Sequence, residues 1–526
     1  MITSLTVVRF VAVPFWRAVG RRLDRVFRLR SWLRFGSLCP ALLLAPHAAL
    51  DAADKPNILW LIGENLTPGD LACFGGKNVH TPNLDALAAA GVRYSGVFAT
   101  NPACAPSRSA FFTGMYQTTT DTHPMRSHRS DDFHLPPGVR PITHRLRDAG
   151  YFTANIKTVG SESVGTGKLD LNFVNEGPIY HANSSEWAAL KSRQPFFAVV
   201  NSEENEYDIY DRQSAKKERV KWVGEDIHVQ HAKPEIVTPP PYYPDHPIVR
   251  QEWARYLNSV SGMDLRLGKV LAQLRTDGLD DDTIIIFFGD NGRLDPRGIH
   301  WCYDTGLRVP MIIRWAKSFP APPQIAPGSV DGRILSLIDL TATTLAIAGI
   351  ERPPSMQGRN FLGTHPDPER RFAFAARDRI DETEQRIRSV HDRRYHYIRT
   401  YTEGPTFASL NRYKEKCFLI LPLMRELHRT GTLTGPPLAL MERRGPCEEL
   451  YDTDTDPHEI NDLIASAKPE HHDAALRLRA ALDTWITETG DRGAIPEPRE
   501  VVAPFEKEMH DWFGTPAWHP YPSNRP

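Results

Sequence analysis

The chain is poor in cysteine, has almost no net charge and lacks a long uninterrupted apolar run. Its 526 residues contain six cysteines and no C-x-x-C pair, so the sequence supports neither a zinc cluster nor a thioredoxin-type site. A formal net charge of -1 provides no global field for nucleic acid, and we expect no such partner. No internal repeat is visible. The length predicts one large domain and a smaller one.

Positive charge is concentrated at the N-terminus. Eight arginines fall within residues 1–34, and an apolar run over residues 35–50 follows them. This pattern predicts an export signal over residues 1–53, and therefore a periplasmic or secreted protein. The apolar run is too short for a stable membrane span. An amphipathic helix on a membrane surface is the alternative interpretation of the basic part.

Apolar strand-like runs alternate with amphipathic helical stretches along the chain. This alternation predicts an α/β fold in which a mostly parallel sheet is covered by helices. The clearest helix spans about residues 248–275, with apolar residues at helical spacing. The strand candidates carry Val, Ile and Phe at consecutive positions, as strands buried on both faces do. They are residues 58–62, 152–156, 196–201, 283–288 and 309–315.

The composition also suggests how the chain is divided. Residues 205–247 are polar and then proline-rich, which predicts an insertion or long loop. Further on, 395–401 resembles a strand and 472–488 an amphipathic helix, which predicts a small α+β domain. The prolines and aromatics of 495–526 predict a tail packed across the surface. We expect a leader, a large main domain and a C-terminal subdomain with its tail, over residues 1–53, 54–385 and 386–526.

The most informative stretch is Cys104-Ala105-Pro106-Ser107-Arg108, which apolar residues and Thr113-Gly114 follow. Pro106 and Ser107 suit the first turn of a helix, and the apolar residues would bury its length. The N-terminus of such a helix offers unpaired N–H groups and a partial positive charge, which suit an anion. The alternative interpretation is a buried cysteine before an ordinary helix.

This stretch resembles the type I sulfatase motif C-x-P-S-R, in which a separate enzyme oxidises the cysteine to formylglycine. The run 114–119, with His123 and His128, is more specifically similar to bacterial sulfatases of the heparan N-sulfatase (sulfamidase) type. The resemblance covers roughly residues 55–465. The other matching segments are 55–65, 69–75, 81–87, 165–170, 288–292, 306–310 and 449–461.

The resemblance implies an alkaline-phosphatase-like fold and an enzyme that hydrolyses sulfate esters or sulfamates of sulfated sugars or polysaccharides. Formylglycine derived from Cys104 would attack sulfur, and a calcium ion (Ca2+) would help to offset the charge on the sulfuryl oxygens. A formylglycine-generating enzyme is an implied partner. Two alternatives stay open: a phosphodiesterase or phosphonate hydrolase of the same superfamily, and a degenerate sulfatase that binds sulfated glycans without turnover.

A metal ligand set follows from the resemblance: Glu64, Asn65, Asp290, Asn291 and the modified Cys104. Oxygen atoms from carboxylates and side-chain amides suit a hard cation such as calcium. Glu64 and Asn65 depart from the family's Asp-Asp pair, because glutamate is one methylene longer and Asn65 lacks a charge. Helix capping after a strand is the alternative interpretation of these residues.

Four further catalytic candidates also follow from the resemblance. Arg108 would hold the modified residue and its metal, and Lys168 would be a point charge for the sulfate. Asp170 stands where the family usually has a histidine. His123 would belong to the wall that faces the substrate, although a lone histidine is as often structural.

At two positions, those of the general acid and of one sulfate-binding cation, this sequence has a different residue type from the family. Glu206 falls nearest the family's proton-donating histidine, and a solvated acidic loop is its alternative interpretation. Ile299 occupies the position of the family's lysine or arginine. Arg297 or His300 would then supply the missing charge, and His300 is a second candidate for the general acid.

Overall fold

The computed structural model describes residues 55–126, 132–157, 159, 166–184, 187–202 and 231–514. The described elements all belong to one compact unit, residues 52–526. Three sequence predictions lie outside the described residues: the export signal, Glu206 and most of the 205–247 insertion.

The larger of two sheets is built from the apolar runs. Its strands are β1 (Asn57–Gly63), β2 (Val92–Phe98), β3 (Phe152–Ile156), β4 (Ala182–Ser184), β5 (Phe196–Ser202), β6 (Thr283–Gly289), β7 (Arg308–Arg314), β8 (Val330–Asp331) and β9 (Leu335–Ser336). Within the described residues the order is β4-β3-β5-β1-β6-β7-β2-β8, and β9 also pairs with β2. β1 is parallel to β5 and β6, whereas β7 runs antiparallel to β6 and β2. The predicted mostly parallel sheet is confirmed.

Helices cover both faces of this sheet. They are α1 (Pro82–Ala89), α2 (Cys104–Thr113), α3 (Ile142–Asp148), α4 (Ala188–Ser192), α5 (Pro247–Thr276), α6 (Asp304–Leu307) and α7 (Ile338–Ile347). Successive residues of a strand point to opposite faces. Leu59 of β1 therefore joins the apolar cluster of Leu257 on α5, while Trp60 joins the cluster of Phe111 on α2. Burial on both faces explains why the strand runs are continuously apolar.

The C-terminal part forms a smaller antiparallel sheet with helices, as predicted. Its strands are β10 (Ala373–Ile380), β11 (Thr383–His391), β12 (Tyr395–Pro405) and β13 (Arg444–Asp452), in that order. The helices are α8 (Arg412–Cys417), α9 (Ile420–Arg429), α10 (Gly435–Glu442), α11 (Pro469–Glu488) and α12 (Arg499–Phe513). Because the sheet starts at Ala373, residue 386 falls inside β11. The domain division itself stays a prediction.

The described cysteines are all free thiols, so no disulfide joins these elements. Burial raises the pKa of the Cys302 thiol to about 12, which keeps it protonated and unreactive. The apolar clusters therefore hold these elements together without covalent links. Among the helices of the described ranges, none combines the length and apolar character that a membrane span requires.

Candidate active site

Cys104 is the first residue of α2 and is buried where strands β1 and β6 end. Ser107 on the first turn donates a hydrogen bond to the backbone oxygen of Asp290, directly after β6, at 2.6 Å. The Sγ atom of Cys104 lies 3.9 Å from Glu64 Oε2 and 3.9 Å from Asn65 Oδ1, both directly after β1. Three segments far apart in the sequence therefore meet at the N-terminus of one helix.

Arg108 is fully buried one turn further along α2 and bridges the two carboxylates. Its guanidinium donates to Glu64 Oε1, to Asp290 Oδ2 at 3.0 Å and to Asn201 Oδ1 at 2.9 Å. Burial alone disfavours the charged form, but the carboxylates of Glu64 and Asp290 outweigh burial and raise the pKa of Arg108. The guanidinium is therefore charged at any pH at which the fold exists.

Lys168 reaches the same carboxylate from a different segment. Its Nζ atom lies 2.6 Å from Glu64 Oε2. Its backbone oxygen accepts hydrogen bonds from the side chains of Asn155, on β3, and Asn201, on β5. Strand ends thus position Lys168 as they position the carboxylates. Asn201 was missed in the sequence, although a polar residue at the end of an apolar strand run was an available signal.

The donor set of this site fits a hard cation. Glu64, Cys104 and Asp290 offer ligand atoms that all lie within 4.8 Å of one another. Asn291 donates from Nδ2 to Asn65 Oδ1 at 2.8 Å, while its own Oδ1 is buried without a hydrogen-bond partner. Buried polar atoms almost always have a partner, so an unpaired carbonyl oxygen beside two carboxylates suits a bound calcium ion. The structure brings all five predicted ligands together.

A pocket of ≈ 420 Å³, including its open mouth, is lined by Cys104. Arg126, Ile299 and His300 also line it. The remaining lining comes from other turns of the chain, from the second sheet and from the C-terminal helices; it includes Met125, Asp381, Tyr413, Met509, Trp512 and Phe513.

Behind the pocket, the segment with Ile299 and His300 is contacted by the buried side chain of Lys414, whose pKa burial lowers well below its ordinary value. Lys414 Nζ donates to the backbone oxygen of Ile299 at 2.6 Å. Burial, followed by the charge of Lys414, lowers the pKa of His300 well below its ordinary value. His300 is therefore a neutral side chain at neutral pH, with a left-handed backbone (φ 75°) that places its ring in the pocket lining.

Arg126 is the guanidinium that the sequence did not indicate. It lines the pocket and contacts Asp170, with both oxygens of that carboxylate 3.3 Å from its nitrogens. Asp170 is almost buried, whereas 24% of the Arg126 side chain is exposed. Asp170 therefore holds a cation at the pocket. No sequence pattern identifies Arg126 as a site residue, because its contact partner Asp170 lies 44 residues further along the chain.

Two other candidates lie away from the pocket lining. His123 is buried, with its ring nitrogens 3.7 Å from Asp121 Oδ1 and 3.9 Å from Asp378 Oδ2. Arg297 is buried too, its guanidinium 3.6 Å from the centre of the Tyr303 ring. The catalytic roles suggested for both stay predictions.

A second group of potential metal ligands is His391, His396 and Glu459. The two imidazole rings stack face to face with centroids 3.5 Å apart, so their edges do not converge on one point. One carboxylate oxygen of Glu459 is hydrogen-bonded to His396 Nδ1, and the other accepts a hydrogen bond from the backbone N–H of Asp304. These contacts are those of a structural link between the second sheet and α6.

Comparisons with known proteins agree with this geometry. The Sulfatase family model matches residues 56–350, and the model "N-sulphoglucosamine sulphohydrolase, C-terminal" matches residues 289–414. The chain is 32% identical over 484 residues to an ulvan-active sulfatase of Formosa agariphila, covering 85% of this chain and 77% of that protein. It is 26% identical over 490 residues to human N-sulphoglucosamine sulphohydrolase, covering 86% and 94%.

Among solved structures, a 2-O GAG sulfatase superposes with a TM-score of 0.60 at 18% identity, covering 84% of this chain and 94% of that one. This likeness confirms the alkaline-phosphatase-like fold. The family match extends over more than half of the chain and includes the strand ends, Cys104 and the residues around them. The chain therefore belongs to the sulfatase family and is a hydrolase of sulfuric esters or sulfamates.

Proposed function

We propose that this enzyme removes sulfate from sulfated sugars or polysaccharides outside the cytoplasm, with formylglycine at position 104 and a calcium ion. The observation that carries the proposal is the convergence of Cys104, Glu64, Asp290, Arg108 and Lys168 at the carboxyl ends of β1 and β6. The sulfated substrates of the curated relatives support the substrate class, and the arginine-rich N-terminus supports export.

Each part of the site has a distinct task in this proposal. Glu64, Asn65, Asp290, Asn291 and residue 104 would hold the cation, which supplies Lewis-acid stabilisation when bound. The formylglycine would supply the nucleophile toward sulfur. Arg108, which is buried on α2, and Lys168, which is partly buried on the segment after β3, hold the carboxylates in place and offset their charge.

Arg126 would take the place of the cation that the family has at position 299. It is the guanidinium in the pocket lining, and Asp170 fixes its orientation. A lost charge-assisted hydrogen bond costs roughly 1.5–3 kcal/mol, which is about one to two orders of magnitude in rate. We expect Arg126→Gln to lower kcat/KM by that factor, and the exposed control Arg429→Gln to leave it unchanged.

Glu206 is the proposed general acid, because His300 is a neutral imidazole at neutral pH and carries no imidazolium proton to donate. The role requires a glutamate that stays protonated near neutral pH, as burial or nearby carboxylates can achieve. Glu206→Gln should slow the release of sugar alcohols, which leave only when protonated. It should hardly affect 4-nitrophenyl sulfate, whose leaving group needs no proton. Equal loss on both substrates would reject this role.

The central test is Cys104→Ala. Protein made together with a formylglycine-generating enzyme should carry the aldehyde at position 104, as peptide mass spectrometry would show. Cys104→Ala should abolish sulfate release from ulvan and heparan sulfate without unfolding, and Cys447→Ala should match the parent. Sulfate release by Cys104→Ala would disprove the mechanism. Faster turnover of aryl phosphodiesters than of aryl sulfates by the parent would favour the phosphodiesterase alternative.

A further inference from the structure

Helix α12 forms one wall of the pocket that contains Cys104. Met509, Trp512 and Phe513 of this helix line the pocket together with Cys104. Met509 is buried, whereas 50% of the Trp512 surface is exposed. The two matching family models end at residues 350 and 414, well before this helix. The wall therefore comes from a part of the chain that the family models do not describe.

One buried guanidinium ties this wall to the rest of the pocket. Arg379, on β10, pairs with Glu497 just before α12 at 2.7 Å and lies 4.9 Å from the ring centre of Phe505. It also donates to the backbone oxygens of Asp381 at 2.6 Å and Met125 at 3.3 Å, and both of these residues line the pocket. The Arg379 side chain therefore connects three parts of the pocket wall: the segment with Met125, the turn with Asp381 and helix α12. These connections preform the pocket.

The chemistry of this side of the pocket differs from that around Cys104. Tyr413, Trp512 and Phe513 supply aromatic surface, with the Tyr413 and Phe513 rings 5.9 Å apart. Asp381 is 6% exposed and accepts one hydrogen bond from Asn411 at 3.1 Å. A carboxylate has about four acceptor positions, so others remain for a ligand. The same charge repels a sulfate group.

An aromatic face beside a carboxylate suits a pyranose ring, which has apolar C–H faces and polar hydroxyl edges. We infer that Trp512 and Asp381 form the sugar subsite of this enzyme. The ring stacks on Trp512, and a hydroxyl or ammonium group donates to Asp381. Repulsion from Asp381 then turns the sulfate toward Arg126 and residue 104. This inference rests on the proposed function and specifies its substrate-binding side.

Steady-state kinetics of the metal-loaded enzyme tests the subsite. The probes are the sulfated oligosaccharide most rapidly desulfated by the parent, chosen from ulvan and heparan sulfate fragments, and inorganic sulfate as a competitive inhibitor. Trp512→Ala and Asp381→Asn should each raise KM about tenfold with kcat within about twofold. The inhibition constant of sulfate should not change. Leu476→Ala, a similarly exposed apolar side chain on α11, is the control.

An unchanged KM in both variants would overturn the subsite, and so would a parallel change in KM and in the sulfate inhibition constant. Calorimetry separates this failure from failure of the proposed function. If the parent desulfates none of the fragments but Cys104→Ala binds an ulvan or heparan sulfate fragment, and Trp512→Ala in that background weakens this binding about tenfold, the subsite stands and the hydrolytic proposal falls. If the parent turns over and neither substitution has an effect, the hydrolytic proposal stands and the subsite falls.

Discussion

Replacing Asn65 with aspartate tests whether the carboxylate cluster is a cation site. The side chains have the same shape, and both residue types tolerate the left-handed backbone of this position (φ 53°). Asn65 Oδ1 and Glu64 Oε2 each lie 3.9 Å from Cys104 Sγ, so these oxygens are less than about 8 Å apart. At that distance two unit charges repel by about 2 kcal/mol at an effective dielectric constant of 20.

Without metal, Asn65→Asp should therefore lower the free energy of unfolding by about 1–2 kcal/mol, because nearby cations offset part of the repulsion. With a divalent cation the sign reverses, since a doubly charged ion attracts the new carboxylate from a shorter distance. We expect calcium to bind about 10- to 100-fold more tightly, which corresponds to about 1.4–2.7 kcal/mol.

Isothermal titration calorimetry with calcium measures this affinity, and chemical denaturation with and without chelator measures both stabilities. Asn78→Asp is a matched control for calcium affinity, because Asn78 has the same backbone conformation (φ 59°) on the exposed surface. It also removes the hydrogen bond from Asn78 Nδ2 to the backbone oxygen of Ile236, so its stability should fall equally with and without metal. An unchanged or weaker calcium affinity in Asn65→Asp, with a normal control, would show that residue 65 does not face a cation.

Three further predictions concern stability. Burial, then Asp381, raises the pKa of Glu382 to about 7 from 4.5, so this group favours the folded state below pH 4.5 and loses that contribution as pH rises to 7. The free energy of unfolding should therefore fall by up to about 3 kcal/mol between pH 4.5 and 7 because of this group. In denaturant titrations Glu382→Gln should abolish this part of the fall, and the control Glu351→Gln should leave it unchanged. A Cβ atom on Gly292 would lie 2.2 Å from a backbone oxygen. Gly292→Ala should therefore lower the free energy of unfolding by about 3 kcal/mol or more. Gly332→Ala should lower it by less than about 1 kcal/mol, because the atom nearest to the added Cβ, Ser95 Oγ, would lie 3.8 Å away. Arg297→Ala should lower the unfolding free energy by about 3–4 kcal/mol through lost ring and hydrogen-bond contacts, with kcat/KM of the folded variant within about threefold. If Arg297→Ala instead has normal stability and a much lower kcat/KM, Arg297 has a catalytic role.

Much of the fold was predictable because its determinants are local. Continuous apolar runs mark strands buried on both faces, and all five predicted strands form. β2 was missed, since its alternating burial gives no continuous run. The short strands β4, β8 and β9 were also missed, because two or three residues carry too little pattern. The antiparallel direction of β7 depends on the path of the preceding chain rather than on its own residues.

Some residues of the site could likewise be assigned from the sequence, and others could not. Parallel strands bring their carboxyl ends to one edge, so residues after β1 and β6 could be assigned to one site from the sequence. The pocket walls could not, because Arg126, Asp381 and Trp512 come from turns and a helix that local pattern does not relate to Cys104. Asp381 and Trp512 are hundreds of residues from Cys104 in the sequence, and Arg126 contacts Asp170, which is 44 residues away.

The glycines of two matching segments have a direct structural explanation. Gly292 donates its N–H to the backbone oxygen of Gly306 at 2.9 Å, and a Cβ on either residue would lie within 2.2 Å of a backbone oxygen. The loop after β6 can fold against the segment before β7 only if both side chains are absent. That contact places Asn291 beside Asn65 and returns the chain so that His300 donates its backbone N–H to Pro102, two residues before Cys104. The spacing of these motifs is therefore a packing requirement, which positions both the proposed metal ligands and the pocket wall.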